Sequence, residues 1–323
     1  MVGPARVQLL TDADMRLHLA EGHPERPQRL AAVAAGVQGG ADAAAATLER
    51  PVPNAASDTL IGLVHSADYL AELAALASAG GGWLDPDTYV GPNSLRAARL
   101  AAGATMDAAL SVARGEAEVA FAVVRPPGHH AAPRRGSGFC LLNNVALAAA
   151  ALRSNGLARR IAIIDFDVHH GDGTQAIFDA DPDLCYASTH QSPLFPGTGA
   201  PSERGSGAAR GTKHNLPLPP GSGDAAFGRA WSERLLPAVE AFAPQAILVS
   251  AGYDAHRDDP LASLQVTDEG FRRLAFELGS LCRRLGLGGV ALTLEGGYDL
   301  AALTACSAAT VEGLVAGLRT PSV

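Results

Sequence analysis

In Ile161-Ala-Ile-Ile-Asp165-Phe-Asp167-Val-His169-His170-Gly-Asp172, a short aliphatic run leads directly into a cluster of acids and histidines, and this pattern indicates the fold class. An aliphatic run of this length is typical of a strand that is buried on both faces of a parallel sheet. This run predicts a strand over residues 161–166. Comparable runs predict further strands at residues 119–124, 184–188, 246–251 and 290–294.

Between these runs, apolar residues recur every three or four positions, which predicts helices. The predicted helices cover residues 94–114, 143–153, 225–242, 267–285 and 300–318. Strands that alternate with helices favour an α/β fold with a mostly parallel sheet flanked by helices. No linker or internal repeat divides the pattern, so we expect one domain over residues 1–323. The Gly- and Pro-rich span 192–223 is predicted to be a loop that forms a wall of the site.

The composition excludes several classes of protein. Twenty-five Lys and Arg residues against 33 Asp and Glu residues give a net charge of −8, which argues against direct binding of nucleic acid. The apolar runs are too short for a membrane span, which needs roughly 18–20 residues. The four cysteines form no CxxC pair, so neither a disulfide framework nor a thiolate metal site is expected. We expect a cytoplasmic protein without a membrane partner. A homo-oligomer is left open.

Polar motifs follow four of the predicted strands directly. They are found at residues 125–130, 165–172, 252–260 and 295–298. Ligands of open α/β sheets bind at the carboxyl ends of the strands, so these motifs predict one shared site at that edge.

Asp165, Asp167 and His169 occupy alternate positions, which places their side chains on one face of an extended backbone. Neighbouring carboxylates repel one another, and a cation relieves the repulsion. The Asp and His donors suit zinc, with iron or cobalt as substitutes. Asp167 and His169 supply two ligands of a catalytic metal. The third is expected to be Asp259, with Asp258 and Asp254 as alternatives.

The His129-His130 pair is suited to proton transfer, with Asp165 and Asp172 available to orient the two rings. Tyr298 follows two glycines that allow its hydroxyl to approach a developing oxyanion. Together with a metal, these groups indicate hydrolysis of an amide.

At these residues the chain resembles the zinc-dependent histone deacetylases, in particular their class II and bacterial deacetylase-like branch. The resemblance extends over nearly the whole chain. It is carried by nine blocks: Gly22 to Leu30, Val64 to Leu70, Arg125 to His130, Gly138 to Asn144, Asp165 to Thr174, Phe195 to Gly199, Asn215 to Pro219, Asp259 to Leu261 and Leu294 to Tyr298.

The resemblance implies an arginase-like fold and a set of residue roles. Zinc would be bound by Asp167, His169 and Asp259. The catalytic groups would be His129, His130 and Tyr298 with Asp165 and Asp172, where His130 is the preferred general base and the roles of the two histidines are interchangeable. Further implied positions are the acyl-lysine tunnel (Gly138, Phe139, Phe195 and Leu261), an internal channel (Arg29) and a structural potassium site (Asp165, Asp167, His169 and Ser188).

The activity implied by the resemblance is removal of acetyl or other short acyl groups from acyl-lysine or a similar acylated amine. Hydrolysis of acetylpolyamines is the alternative, although Leu261 is apolar where a polyamine-selective relative would carry a glutamate. A non-catalytic acyl-amine binding protein ranks lower, since neither a zinc ligand nor the tyrosine is missing. An arginase-type ureohydrolase would need carboxylates for a second metal.

Overall fold

The computed structural model describes residues 3–320. Its strands are β1 (Arg6–Leu10), β2 (Thr47–Glu49), β3 (Gly82–Trp83), β4 (Tyr89–Val90), β5 (Val119–Ala122), β6 (Ile161–Asp165), β7 (Leu184–Gln191), β8 (Lys213–Leu218), β9 (Ala246–Ala251) and β10 (Val290–Leu294). Its α-helices are α1 (Gln28–Ala43), α2 (Asp58–Ile61), α3 (Ala67–Ser78), α4 (Ser94–Ala113), α5 (Asn144–Ser154), α6 (Asp172–Phe178), α7 (Asp224–Ala230), α8 (Leu236–Phe242), α9 (Asp268–Arg284) and α10 (Leu300–Arg319).

Eight of the strands form a parallel sheet in the order β2-β1-β5-β10-β9-β6-β7-β8. Strands β3 and β4 form a separate antiparallel hairpin. Every residue of β5, β6 and β10 is buried, which explains why these strands are aliphatic throughout rather than alternating. The α/β fold with a parallel sheet flanked by helices is therefore confirmed.

Side-chain caps begin α5 and α10, and glycines follow the ends of α5 and α9. The Asn143 side chain accepts a hydrogen bond from the Ala146 amide at the start of α5, and Asp299 does the same for Ala302 at the start of α10. Gly156 and Gly286 follow α5 and α9 with φ values of +67° and +70°, a conformation that glycine adopts without strain.

Helix α10 is long and apolar enough to span a membrane by composition, but most of it is buried inside the molecule. It packs against α1 and α9. Close approach depends on glycines: a Cβ at Gly317 would lie 2.1 Å from the Phe276 carbonyl oxygen of α9. The apolar character of α10 thus reflects its place in the helix layer.

Two sequence expectations need correction. The span 192–223 is not a loop throughout, because Lys213–Leu218 forms the edge strand β8. The predicted helix over 225–242 is divided into α7, a π-helical turn (Trp231–Leu235) and α8.

The sheet order explains how the polar motifs come together. β5, β10, β9 and β6 are consecutive neighbours in the middle of the sheet. The polar motifs follow the carboxyl ends of these four strands, so their side chains converge above the centre of the sheet.

Candidate active site

The tandem histidines after β5 are each hydrogen-bonded to a different carboxylate. His129 Nδ1 lies 3.1 Å from Asp165 Oδ2, and His130 Nδ1 lies 2.8 Å from Asp172 Oδ1. Tyr186 donates a hydrogen bond of 2.9 Å to the same Asp165 oxygen. Each ring therefore has its Nδ1 engaged by a carboxylate, which leaves Nε2 for other chemistry.

The surroundings shift the pKa values of the two histidines in opposite directions. Burial alone would lower the pKa of His129, but the carboxylates of Asp167 and Asp165 outweigh it and hold this pKa well above its usual value. Burial and the positive charge of His129 lower the pKa of His130 to about 3, against the opposing effect of Asp172. The surroundings thus favour the protonated form of His129 and the neutral form of His130.

Acidic side chains surround His169. Its Nδ1 atom lies 3.0 Å from Asp167 Oδ1 and 3.2 Å from Asp254 Oδ2. Burial would lower the pKa of His169, but the neighbouring carboxylates of Asp167 and Asp254 outweigh it and raise this pKa to about 10. Asp254 Oδ2 is buried and accepts no hydrogen bond from the described residues. The histidine keeps its proton near neutral pH, and one buried carboxylate oxygen receives no hydrogen bond from the described part of the chain. Both features are typical of a site that binds a cation.

Asp259 lies beside this cluster, at the end nearer the tyrosine. Its Oδ2 atom accepts a hydrogen bond of 2.7 Å from the Tyr298 amide, and its Oδ1 accepts one of 2.9 Å from the Leu261 amide. Burial and the charge of Asp254 raise the pKa of Asp259 to about 7. Carboxylates this close together repel one another, and a cation bound among them would relieve that repulsion.

The structure brings together a slightly different trio from the expected one. The ligand atoms of Asp167, His169 and Asp254 lie within 4.8 Å of one another, whereas Asp259 is not in this compact group. Asp258, the other alternative, is directed elsewhere: its side chain lies 3.7 Å from His256 and is largely exposed. Asp254 also accepts a hydrogen bond from the Val168 amide, which ties it to the loop between Asp167 and His169.

A cavity of about 240 Å³ opens onto these groups. Its lining includes His129, His130, His169, Gly138, Phe139, Phe195, Leu261 and Tyr298, which were all singled out from the sequence. The rings of His130 and Phe195 lie 5.0 Å apart, and those of Phe139 and Tyr298 lie 5.8 Å apart, both edge to face. The aromatic side chains therefore stand directly against the polar groups.

Tyr298 lines this cavity, and neighbouring residues hold it in place. Gly297 precedes it with a φ of +114°, which favours glycine and turns the chain sharply after β10. The Arg29 guanidinium carbon lies 5.1 Å from the centre of the tyrosine ring, and Arg29 Nε donates a 2.6 Å hydrogen bond to the Gly297 carbonyl. Burial raises the pKa of Tyr298 well above its usual value, so the phenol keeps its proton as a donor.

Glu295 is a functional residue that sequence reasoning missed, although it belongs to a quoted motif. Its Oε2 atom accepts hydrogen bonds from the amides of Gly128 (2.6 Å) and His129 (3.1 Å), and Oε1 accepts one from Ser250 (2.9 Å). The carboxylate is fully buried and joins the ends of β5, β9 and β10. It fixes the backbone that carries the histidine pair.

A buried ion cluster supports the same region and was also missed. Glu25 is bonded to Arg125 Nε and Nη2 at 2.7 Å each, and to Arg29 Nη1 at 2.9 Å. Burial would raise the pKa of Glu25, but the two guanidinium groups outweigh it and lower the pKa to about 2. The four-residue spacing of Glu25 and Arg29 was the available sequence signal.

The residues expected around potassium are also neighbours. Asp165 and Ser188 are paired across β6 and β7, and the Ser188 hydroxyl lies 3.0 Å from His190 Nδ1. Asp165 Oδ1 accepts a hydrogen bond from the Asp167 amide, which joins this pair to the loop that carries Asp167 and His169. The potassium site itself stays a prediction.

Known proteins resemble this chain in sequence and structure. A model of the histone deacetylase domain matches residues 23–314. The histone deacetylase-like amidohydrolase of Pseudomonas aeruginosa is 40% identical over 271 residues, which cover 84% of this chain and 71% of that protein.

Two solved structures share the fold. The crystal structure of the HDA15 HD domain has a TM-score of 0.90 and 37% identity, and the match covers 99% of this chain and 90% of that one. The acetylpolyamine aminohydrolase from Burkholderia pseudomallei has a TM-score of 0.84 and 32% identity, over 96% of this chain and 99% of that one.

Proposed function

Because the chain belongs to the histone deacetylase family of deacetylases and amidohydrolases, we propose that it is a zinc-dependent enzyme that removes acetyl or other short acyl groups from lysine side chains. One observation carries the proposal. A cavity with aromatic walls ends at two carboxylate-bonded histidines, a buried tyrosine and an acidic cluster around His169.

We propose Asp167, His169 and Asp259 as the zinc ligands. Asp259 is bonded to the amides of Leu261 and Tyr298, which both line the cavity, whereas Asp254 is fully buried behind His169. Asp254 would then orient His169 rather than bind the metal. Bound zinc would supply Lewis-acid polarisation of the acyl carbonyl and would acidify a water molecule.

Three side chains divide the chemistry: His130 transfers protons, and His129 and Tyr298 stabilise developing negative charge. Neutral His130, oriented by Asp172, accepts the proton of the attacking water and delivers it to the leaving amine. His129, whose protonated form Asp165 favours, gives electrostatic support to the negative charge that develops during attack. Tyr298 donates a hydrogen bond to the carbonyl oxygen as that oxygen becomes an oxyanion.

The cavity walls favour a substrate with an uncharged acylamide at the end of an apolar methylene chain. Phe139 and Phe195 present aromatic faces and edges suited to the methylene chain of lysine. Phe139 adopts a φ of +69°, and its amide donates a hydrogen bond of 3.1 Å to the Thr88 hydroxyl oxygen. The wall therefore has a defined backbone position in spite of its unusual conformation.

Acetylpolyamine hydrolysis is the second candidate, and one observation favours it. Asp87, at the tip of the β3–β4 hairpin, lines the cavity and carries an exposed carboxylate that would attract a cationic chain. The similarity to an acetylpolyamine aminohydrolase structure is consistent with this alternative. Leu261 at the same rim is apolar, so we rank acyl-lysine first.

We further propose that Asp165, Asp167, His169 and Ser188 surround a structural potassium ion, which their adjacency supports. A cytoplasmic location is proposed because all four cysteines are unpaired thiols, as in proteins of reducing compartments.

A substrate panel tests the function. Purified enzyme with measured zinc content would be assayed on an acetyl-lysine peptide, longer acyl-lysine peptides, N-acetylputrescine and N-acetylspermidine. We expect kcat/KM to be highest for an acyl-lysine peptide and severely reduced in Tyr298→Phe. A large advantage for the acetylpolyamines would reverse the ranking. No turnover of any substrate at full zinc loading would support a non-catalytic binding protein.

A further inference from the structure

His23 contacts the aromatic wall of the cavity without lining the cavity itself. The centre of its ring lies 4.6 Å from that of Phe139, edge to face. Phe139 is among the described residues that line the cavity, whereas His23 is not. His23 lies in the loop before α1 and is half-buried. It takes no part in the proton transfers of the proposed reaction, so its place behind the wall calls for another role.

Both nitrogens of the His23 ring are hydrogen-bonded. The Glu25 amide donates a hydrogen bond of 3.1 Å to Nδ1, so Nδ1 carries no proton. The neutral ring then carries its proton on Nε2, which donates a hydrogen bond of 3.1 Å to the carbonyl oxygen of Asp87. These two bonds fix the orientation of the ring between the loop before α1 and the tip of the β3–β4 hairpin.

The Nδ1 side of the ring is attached to a firmly held part of the backbone. Glu25 is buried, and its carboxylate is paired with the guanidinium groups of Arg125 and Arg29. Arg29 also donates a hydrogen bond to the Gly297 carbonyl, directly before the tyrosine of the site. His23 is therefore held from the buried ion cluster that supports the active site.

The Nε2 side is attached to the hairpin that supports the Phe139 backbone. Asp85 Oδ1 accepts hydrogen bonds from the amides of Asp87 (3.1 Å) and Thr88 (2.7 Å), which closes the hairpin tip. The Thr88 hydroxyl oxygen accepts the hydrogen bond from the Phe139 amide. The hairpin tip and the Phe139 backbone thus form one hydrogen-bonded unit, and the bond from His23 to Asp87 attaches this unit to the loop before α1.

Phe139 depends on such support because its backbone conformation is unfavourable. A φ of +69° is sparsely populated by residues with a bulky side chain, and surrounding contacts must maintain it. The Phe139 ring contacts two others, those of His23 at 4.6 Å and Tyr298 at 5.8 Å between centres. Without the shorter contact, the ring would be free to leave its place in the wall.

We propose that His23 is a positioning residue, which holds the Phe139 ring and the hairpin tip where they shape the wall of the substrate cavity. Its effect on turnover rests on the proposed hydrolysis of acyl-lysine. Because His23 does not touch the reacting atoms, it would govern substrate binding rather than the chemical step.

Steady-state kinetics on an acetyl-lysine peptide test this role. His23→Ala is expected to raise KM about tenfold, as for loss of one aromatic pair, and to leave kcat within about twofold. His214→Ala is the matched control, because His214 is a half-buried histidine of β8 that is not among the described residues lining the cavity. An unchanged KM in His23→Ala, or a loss confined to kcat, would overturn the proposal.

A double-mutant cycle tests whether His23 acts through Phe139. Phe139→Ala alone should raise KM about tenfold or more, and adding His23→Ala to it should raise KM by less than about twofold further. If the second substitution added a full tenfold, His23 would act by another route and the positioning role would be wrong.

Tryptophan fluorescence tests the hairpin contact without any substrate. Trp83 of β3 is 53% exposed and its ring centre lies 6.4 Å from that of His23, whereas Trp231 is fully buried. Acrylamide quenching therefore reports on Trp83. We expect the quenching constant to rise up to about twofold in His23→Ala, as the hairpin is released and Trp83 moves towards full exposure.

His23→Gln separates the hydrogen bond from the loss of the ring. Glutamine and alanine both lack the imidazole ring, but glutamine can donate to the Asp87 carbonyl, so His23→Gln should remain near the wild-type quenching constant. Equal quenching in the two variants would overturn the role of the hydrogen bond. If the wild type hydrolysed no acyl-lysine peptide, the proposed function would fail, and the quenching series would still decide whether His23 positions the hairpin.

Discussion

Replacing Glu295 with alanine is expected to impair both stability and catalysis, because this carboxylate fixes the loop that carries the tandem histidines. The substitution removes the acceptor of three hydrogen bonds, from the Gly128 and His129 amides and from the Ser250 hydroxyl. All three donors are buried. The serine hydroxyl can rotate towards another acceptor, whereas the two amides cannot.

The magnitude follows from those two amides. A buried N–H left without an acceptor costs about 1–3 kcal/mol, so Glu295→Ala should lower the free energy of unfolding by roughly 2–6 kcal/mol. At about 2.1 cal/mol/K per residue, the unfolding entropy of this 323-residue chain is about 0.7 kcal/mol/K. The melting temperature should therefore fall by about 3–9 °C. Displacement of His129 and His130 should reduce kcat about tenfold to a hundredfold.

Two matched variants separate hydrogen bonding from charge. In Glu295→Gln the amide oxygen can still accept from both backbone N–H groups and its NH₂ can donate to Ser250, so we expect a loss of only about 1 kcal/mol. Ser250→Ala removes a single hydrogen bond and should also cost about 1 kcal/mol without changing kcat. Urea denaturation, thermal unfolding and steady-state kinetics would be measured for all three variants.

The decisive result is whether stability and kcat fall further in Glu295→Ala than in Glu295→Gln. If Glu295→Ala were as stable and active as the wild type, the positioning role would be refuted. If Glu295→Gln were as damaging as Glu295→Ala, the negative charge rather than the hydrogen bonds would be responsible.

Three further predictions follow from the site. Tyr298→Phe should retain its metal by elemental analysis but lose a factor of about 10²–10³ in kcat, since only the charge-developing step loses a donor; unchanged turnover would remove Tyr298 from the mechanism. Asp172→Asn should reduce kcat about tenfold to a hundredfold through His130, and wild-type kinetics would exclude that role. The depressed pKa of Glu25 contributes about 3 kcal/mol of stability above pH 4.5, which is lost as the pH falls towards 2, so the stability difference from Glu25→Gln should shrink over that range in pH-dependent urea denaturation.

The central strands were predictable because burial on both faces leaves a continuous aliphatic pattern. β6, β9 and β10 lie within one residue of the predicted ranges, and β7 extends three residues further to Gln191. β8 was not predictable in this way, since its sequence Lys-His-Asn-Leu-Pro-Leu mixes polar residues and proline as only an edge strand can.

The candidate site was predictable where the motif itself follows a strand. The carboxylates behind His129 and His130 lie only 36 and 42 residues further along the chain, in a neighbouring motif. Glu295 lies 167 residues from Gly128, and no local pattern indicates that β5 and β10 are neighbours in the sheet. The choice between Asp254 and Asp259 also depends on how the loop after β9 is folded, which spacing alone leaves open.

Metal analysis coupled to an activity assay tests whether Asp167, His169 and Asp259 hold a zinc ion that the reaction needs. The purified chain should contain about one zinc ion, lose hydrolysis of an acetyl-lysine peptide on chelation and regain it when zinc is restored. Asp167→Ala and Asp259→Ala should bind little zinc, while Asp254→Asn should retain it with reduced affinity. Full activity of the chelated, zinc-free enzyme would contradict a catalytic role for zinc, and undiminished zinc binding in Asp167→Ala would contradict the proposed ligands.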